Sequence, residues 1–271
     1  MKQPGALWKL RARGLDEARR AVKRGDPEGL HDLRVALRRI CATASALGRG
    51  RVARRARAVA RSLSRSRQLE VDRRLLERVG RLGLLSPDAV TALAARWEKL
   101  AARAVRRLER ATEGKRMQRL RRRLARIARK GSGNGIKRLA AARREAEGRL
   151  VRSLDGKDDK TLHRYRLAVK TARYLAEDLA ALGLPQPKGA AREAALQETL
   201  GRWNDLQTFR RRLAEGREDA RWRGAVVLAA ELDRLLAALE PVVDAARAAA
   251  VVASRQSAPV VPMRRAARAR A

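Results

Sequence analysis

Apolar residues recur along this chain at intervals of three and four, and almost nowhere do they alternate with polar ones. That period predicts α-helices nearly throughout and no convincing strand. Breaks in the pattern fall at Gly25-Asp26-Pro27, Gly48-Arg49-Gly50, Ser86-Pro87, the glycine-rich stretch 131–135, Asp155 to Asp159 and Gly183 to Pro187. Ser86-Pro87-Asp88 reads as a helix start, with proline at the first helical position. The glycines of 131–135 are the expected junction between a first helical half, 1–130, and a second, 136–253. The remainder, 254–271, carries prolines and scattered arginines and reads as a disordered basic tail.

Two of the predicted helices are nearly the same helix. Leu30-His31-Asp32-Leu33-Arg34-Val35-Ala36-Leu37-Arg38-Arg39 is echoed by Leu162-His163-Arg164-Tyr165-Arg166-Leu167-Ala168-Val169-Lys170-Thr171, and the chain's only two histidines occupy the same place in each. A unit that recurs at constant offset points to internal duplication. In the first copy Leu30, Leu33, Leu37, Ile40, Ala44 and Leu47 form an apolar stripe, with His31, Arg34 and Arg38 on a stripe beside it. In the second, Leu162, Tyr165, Val169, Ala172 and Leu179 form the inside, flanked by His163, Arg166, Lys170 and Arg173. The next helix, around Arg51 to Leu63, buries Val52, Ala56, Val59 and Leu63 and lines up Arg54, Arg57 and Arg61. Like charges three or four residues apart destabilise a helix by a few tenths of a kcal/mol per pair, so such rows call for a counter-anion or an acidic neighbour. A weaker echo follows in each copy: Leu63-Ser64-Arg65-Ser66-Arg67-Gln68-Leu69 lies over Leu200-Gly201-Arg202-Trp203-Asn204-Asp205-Leu206.

Composition sharpens this picture. Of 271 residues, 66 are Lys or Arg and 29 Asp or Glu, a formal net charge of +37, while 45% are hydrophobic. The chain can bury a core, so it is not merely a basic tail, and its charge asks for a polyanion: nucleic acid, an anionic membrane surface or a polyphosphate. One cysteine, Cys41, excludes an intrachain disulfide. No signal-type apolar run follows Met1, and acidic residues and Pro241 interrupt the most apolar region, 225–253, so no membrane span is expected and a cytoplasmic location is the default.

The paired motifs resemble those of the CHAD family, the conserved histidine α-helical domain. His31, Arg34, Val35, Arg38 and Arg39 match the first copy of its His-x-x-Arg motif; His163, Arg166, Leu167, Lys170 and Arg173 match the second. Its Leu-Gly-x-x-x-Asp-Leu pattern looks like Leu200 to Leu206. The resemblance implies an all-α fold of two pseudo-symmetric helical bundles with a basic cavity or surface between them. It further implies binding of inorganic polyphosphate, association with polyphosphate granules, and no catalysis by the domain. The residues expected to hold the polymer are His31, Arg34, Arg38, Arg39, Arg54, Arg57, Arg61, His163, Arg166, Lys170 and Arg173. Cys41, Thr171 and Gln68 depart from the family pattern, Gln68 standing where the family prefers Asp.

Other signals are weaker. Two histidines far apart with one cysteine make a poor metal site, and the surrounding arginines oppose a cation; no metal and no cofactor is expected. Glu145-Ala146-Glu147 resembles the opening of a tunnel-type triphosphatase motif but sits in helical rather than barrel-strand sequence. No nucleophile elbow or phosphate-binding glycine loop is present, so an enzyme is not expected. The segment 115–152, with 15 Lys+Arg, could attract nucleic acid nonspecifically, which is the alternative reading, as is a diffuse coat on an anionic surface. Polyphosphate fits better because it offers oxygens and charge without bases, and arginine's planar fork can bond two oxygens at once.

Overall fold

The computed structural model describes residues 4–26, 28–130, 135–152, 158–185 and 190–256. Among them nine α-helices follow one another and no strand occurs: α1 (Pro4–Lys23), α2 (Gly29–Ala46), α3 (Gly50–Arg81), α4 (Pro87–Glu113), α5 (Lys115–Lys130), α6 (Gly135–Arg152), α7 (Asp159–Ala181), α8 (Ala190–Trp222) and α9 (Val226–Gln256). The all-helical expectation therefore holds. The glycine-rich stretch up to residue 134, and the basic tail from residue 257, lie outside the described residues.

Local chemistry sets the ends. Gly48 adopts φ 69° after α2, a left-handed conformation that costs glycine little. It lets Arg49 N donate to the Ala44 carbonyl at 2.7 Å, closing the helix. Ser86 caps α4, its Oγ accepting from Ala89 N, and Pro87 takes the first helical position as its sequence predicts. Asp158 caps α7 by accepting from Thr161 N at 2.6 Å. The helix expected to end near Leu63 runs on to Arg81, because neither glycine nor proline interrupts it before Gly80. The polar-leucine segments are thus interior turns of long helices, α3 and α8, rather than separate elements.

Three apolar clusters hold the helices. The first is built by α1, α2, the N-terminal half of α3 and α5, with Leu139 of α6 and Leu175, Leu179 and Leu182 at the end of α7. The second joins the C-terminal half of α3 and α4 to Phe209 and Leu213 of α8 and Leu232, Leu235 and Leu239 of α9. The third lies among α6, α7, α8 and α9, around Tyr165, Leu200 and Trp203. All six expected inside residues of the first repeat helix are buried, as are all five of the second.

A buried polar link ties α1, α2 and α7 together. Asp178, with no exposed surface, pairs with Arg11 and accepts from Thr43 Oγ1 at 2.6 Å. A buried carboxylate so paired is costly to break, because the partner's charge is left without compensation. Asp178→Asn keeps the volume and is expected to cost about 3 kcal/mol in chemical denaturation; a loss under about 1 kcal/mol would mean that water reaches Arg11.

Candidate functional site

The buried stripes of α2 and α7 fix the direction of the cationic stripes beside them. With Leu33 and Leu37 in the first core and Tyr165 and Val169 in the third, Arg34, Arg38, Arg166 and Lys170 stand half-buried at the flank where α2 meets α7. Arg38 of α2 bears electrostatically on His163, Arg166 and Lys170 of α7, and Arg34 bears on Lys170. The two stripes, distant in sequence, therefore face each other across one helix–helix seam.

The seam is electrostatically strained. Burial, then the charges of Arg166 and Arg38, pushes the Lys170 ammonium down to about 7. Partial burial and the neighbouring Arg166 lower His163, with a hydrogen bond to Asn204 opposing the shift. Burial also lowers Arg166, and Asp205 opposes that. Asp205 attracts Lys170 as well and is the carboxylate that α8 brings to the seam. α8 thus sets Asp205 against the cations of two positive helices, with Lys170 poised between charged and neutral near neutral pH.

The remaining candidate residues divide. His31 lies exposed in the first turn of α2, one turn before Arg34. Arg39 and Arg173, one from each repeat, are bound inward: both reach Glu177, at 2.7 Å and 3.4 Å, and both guanidiniums lie over the Tyr174 ring, at 6.0 Å and 5.4 Å. They fasten α2 to α7 rather than extend the open cationic row. The row on α3 also splits: Arg57 donates to Cys41 Sγ at 3.7 Å, next to the α2 stripe. Arg61 is exposed one turn on, and Arg54 turns into a groove against α5. Gln68, in the place of the expected acid, donates to Asp72 at 2.9 Å, and Asp72 pairs with Arg212 of α8. The carboxylate near it on α3 is thus Asp72, one turn on and buried.

Asn204 and Asp205 were not among the expected binding residues. The signal that could have found them is the Leu200 to Leu206 pattern itself, whose polar members sit on the flank of α8 that meets α7. Trp203, in the third cluster with Tyr165 and Val169, is buried, whereas Trp222 stands almost fully exposed at the end of α8. Among the described residues no group of three His, Cys, Asp or Glu side chains is placed to hold a metal, and no helix is long and apolar enough to cross a membrane.

This arrangement has relatives. Residues 6–214 match the sequence profile of the CHAD domain, so the chain belongs to the CHAD family. Among solved structures it is similar to PptA from Streptomyces chartreusis, at 20% identity and a TM-score of 0.77, covering 94% of this chain and all of that one. It is also similar to the CHAD domain from the plant Ricinus communis, at 24% identity and a TM-score of 0.69, covering 91% and 90% of the two chains. No curated protein matches the chain.

The state of Lys170 has a measurable consequence. Its value falls from an ordinary 10.5 to about 7 on folding, so the unfolded chain holds the proton more tightly. Stability from this group is complete above about pH 10.5 and is lost as the pH falls through about 7. Lys170→Met is therefore expected to raise the melting temperature most at and below about pH 7, with the gain fading toward pH 10.5. Melting curves across that range check it; a gain that grows with pH would reverse the assignment.

Proposed function

We propose that this protein binds inorganic polyphosphate at the α2–α7 seam, with Arg34, Arg38, Arg166 and Lys170 as the inner contacts and His31 and His163 at its ends. The observation that carries the reading is the mutual pressure of Arg38, Arg166 and Lys170, opposed by Asp205 and, at Arg166, by Tyr174. A like-charged, half-buried cluster of this kind is relieved by an anion, and its cations lie one helical turn apart, about 5–6 Å, a spacing that can follow alternate phosphates of an extended chain. Membership of the CHAD family and the paired histidine motifs support the same reading. The role is one of holding a polymer, not of transforming it. The cluster supplies charge and donors, and no nucleophile–base pair is proposed in it. Where cells store the polymer as granules, the protein is expected there.

Nucleic acid is the competing ligand, since any surface this basic attracts it. Against it stands the scarcity of stacking groups: of the seven aromatic side chains, all described, Trp222 at the end of α8 is exposed and the other six are buried.

Replacing Arg34, Arg38 and Lys170 together by Gln is expected to weaken polyphosphate binding at least about tenfold and to flatten its salt dependence, because fewer counterions are displaced. Isothermal titration at several salt concentrations measures both, and an unaltered affinity would sink the proposal. Binding should also draw protons. Above about pH 7 the free Lys170 is mostly neutral, and an approaching phosphate restores its charge. Titration near pH 8 in buffers of different ionisation enthalpy is expected to reveal proton uptake that Lys170→Met diminishes; proton release would contradict it.

A further inference from the structure

A second cationic surface lies between α3 and α5. A groove of about 500 Å³ is lined by Arg51, Arg54, Arg55 and Ala58 of α3 and by Arg116 and Arg119 of α5. It shares Arg51 with an adjoining recess of about 420 Å³, where Arg123 and Arg126 of α5 face the first turn of α3. Rising numbers on α3 meet falling numbers on α5, so the two helices run antiparallel along the groove and its α5 wall, Arg116 to Arg126, is about 15 Å long.

Both walls lack acids. From Gly50 to Leu69 α3 has no Asp or Glu, and α5 has none in its 16 residues. The apolar side of α5 (Met117, Leu120, Leu124, Ile127) is fully engaged in the first core, which forces its arginines outward and toward α3. Arg121, on another flank of α5, finds Asp16 of α1; none of the five groove arginines is ion-paired with a described carboxylate. The recess ends on the N-terminus of α3, where Arg49 provides no side-chain cap and the first turn holds no acid. The helix dipole there adds further preference for an anion.

We propose that this α3–α5 groove is a second attachment site for a linear phosphate chain, separate from the α2–α7 seam. The inference rests on the polyphosphate reading for its choice of ligand. The lining selects the chemistry: guanidiniums and one methyl group offer forks for phosphate oxygens and no surface on which a base could stack. Arg57, between the two sites on α3, reaches Cys41 beside the α2 stripe. Two anchors on one molecule raise the effective concentration of a long chain at the second once the first is filled. The protein should therefore prefer long chains to short ones.

The test starts from the protein in which Arg34, Arg38 and Lys170 are Gln, so that the seam is disabled. Long-chain polyphosphate is expected still to bind at low salt. Adding Arg51→Gln, Arg55→Gln, Arg116→Gln and Arg119→Gln is expected to weaken that residual binding at least about tenfold. Replacing four exposed arginines elsewhere (Arg20, Arg78, Arg81 and Arg211) is expected to weaken it by less than about threefold. Equal losses from the two sets would overturn the groove by reducing it to diffuse charge. Ready displacement of the polyphosphate by a single-stranded oligonucleotide of equal charge would overturn it by assigning the groove to nucleic acid. Neither result touches the seam, which stands or falls on the affinity lost when its own three residues are replaced.

Discussion

Cations are pressed against cations where α2 meets α7, and the apolar layers beneath them make that arrangement tolerable. Arg38 and Lys170 repel, yet each belongs to a helix whose other side is committed to a core: Leu33, Leu37 and Ile40 below one, Tyr165 and Val169 below the other. Each such side chain contributes about 1.5–3 kcal/mol on burial, and several on each helix act together. The cores therefore decide the geometry, and the charges accept it.

What fastens the seam is equally specific. Glu177 holds Arg39 and Arg173 from the two similar helices, with Tyr174 beneath both guanidiniums. The next residue in the chain, Asp178, holds Arg11 and Thr43. Neighbouring acids on α7 thus bind three arginines inward, and Arg38, Arg166 and Lys170 crowd one another on the adjacent flank. The arginines of this protein do two kinds of work, and the motif alone does not separate them. Arg38 and Arg39 are adjacent, yet one faces Lys170 and the other a carboxylate.

Much of the fold was legible because its signals are local. Three- and four-residue spacing marked the buried faces of α2 and α7, and Gly48, Ser86-Pro87 and Asp158 ended or began helices by capping chemistry that short segments carry. The pattern marked α3 only as far as about Leu63, because the polar stretch beyond it shows no clear apolar face until the second wall it packs on is known. Residues such as Leu69, Leu76 and Val79 find that wall in α4, α8 and α9. For the site, the repeated His-x-x-Arg spacing named residues that do meet, Arg34 and Arg38 with Arg166 and Lys170. It could not tell that Arg54 faces α5, that Arg39 and Arg173 are neutralised, or that Asn204 and Asp205 approach from α8. Those depend on which flank of one helix abuts another.

The long helices α3 and α9 each pass through more than one apolar cluster. α3 leaves the first for the second near Leu69, and α9 leaves the second for the third near Pro241, a residue that can donate no hydrogen bond to the turn before it. Rods shared in this way couple the stability of regions that would otherwise melt separately. Despite its repeated motif, the protein should behave in denaturant as a single cooperative unit, and a cut within either rod would loosen two regions at once.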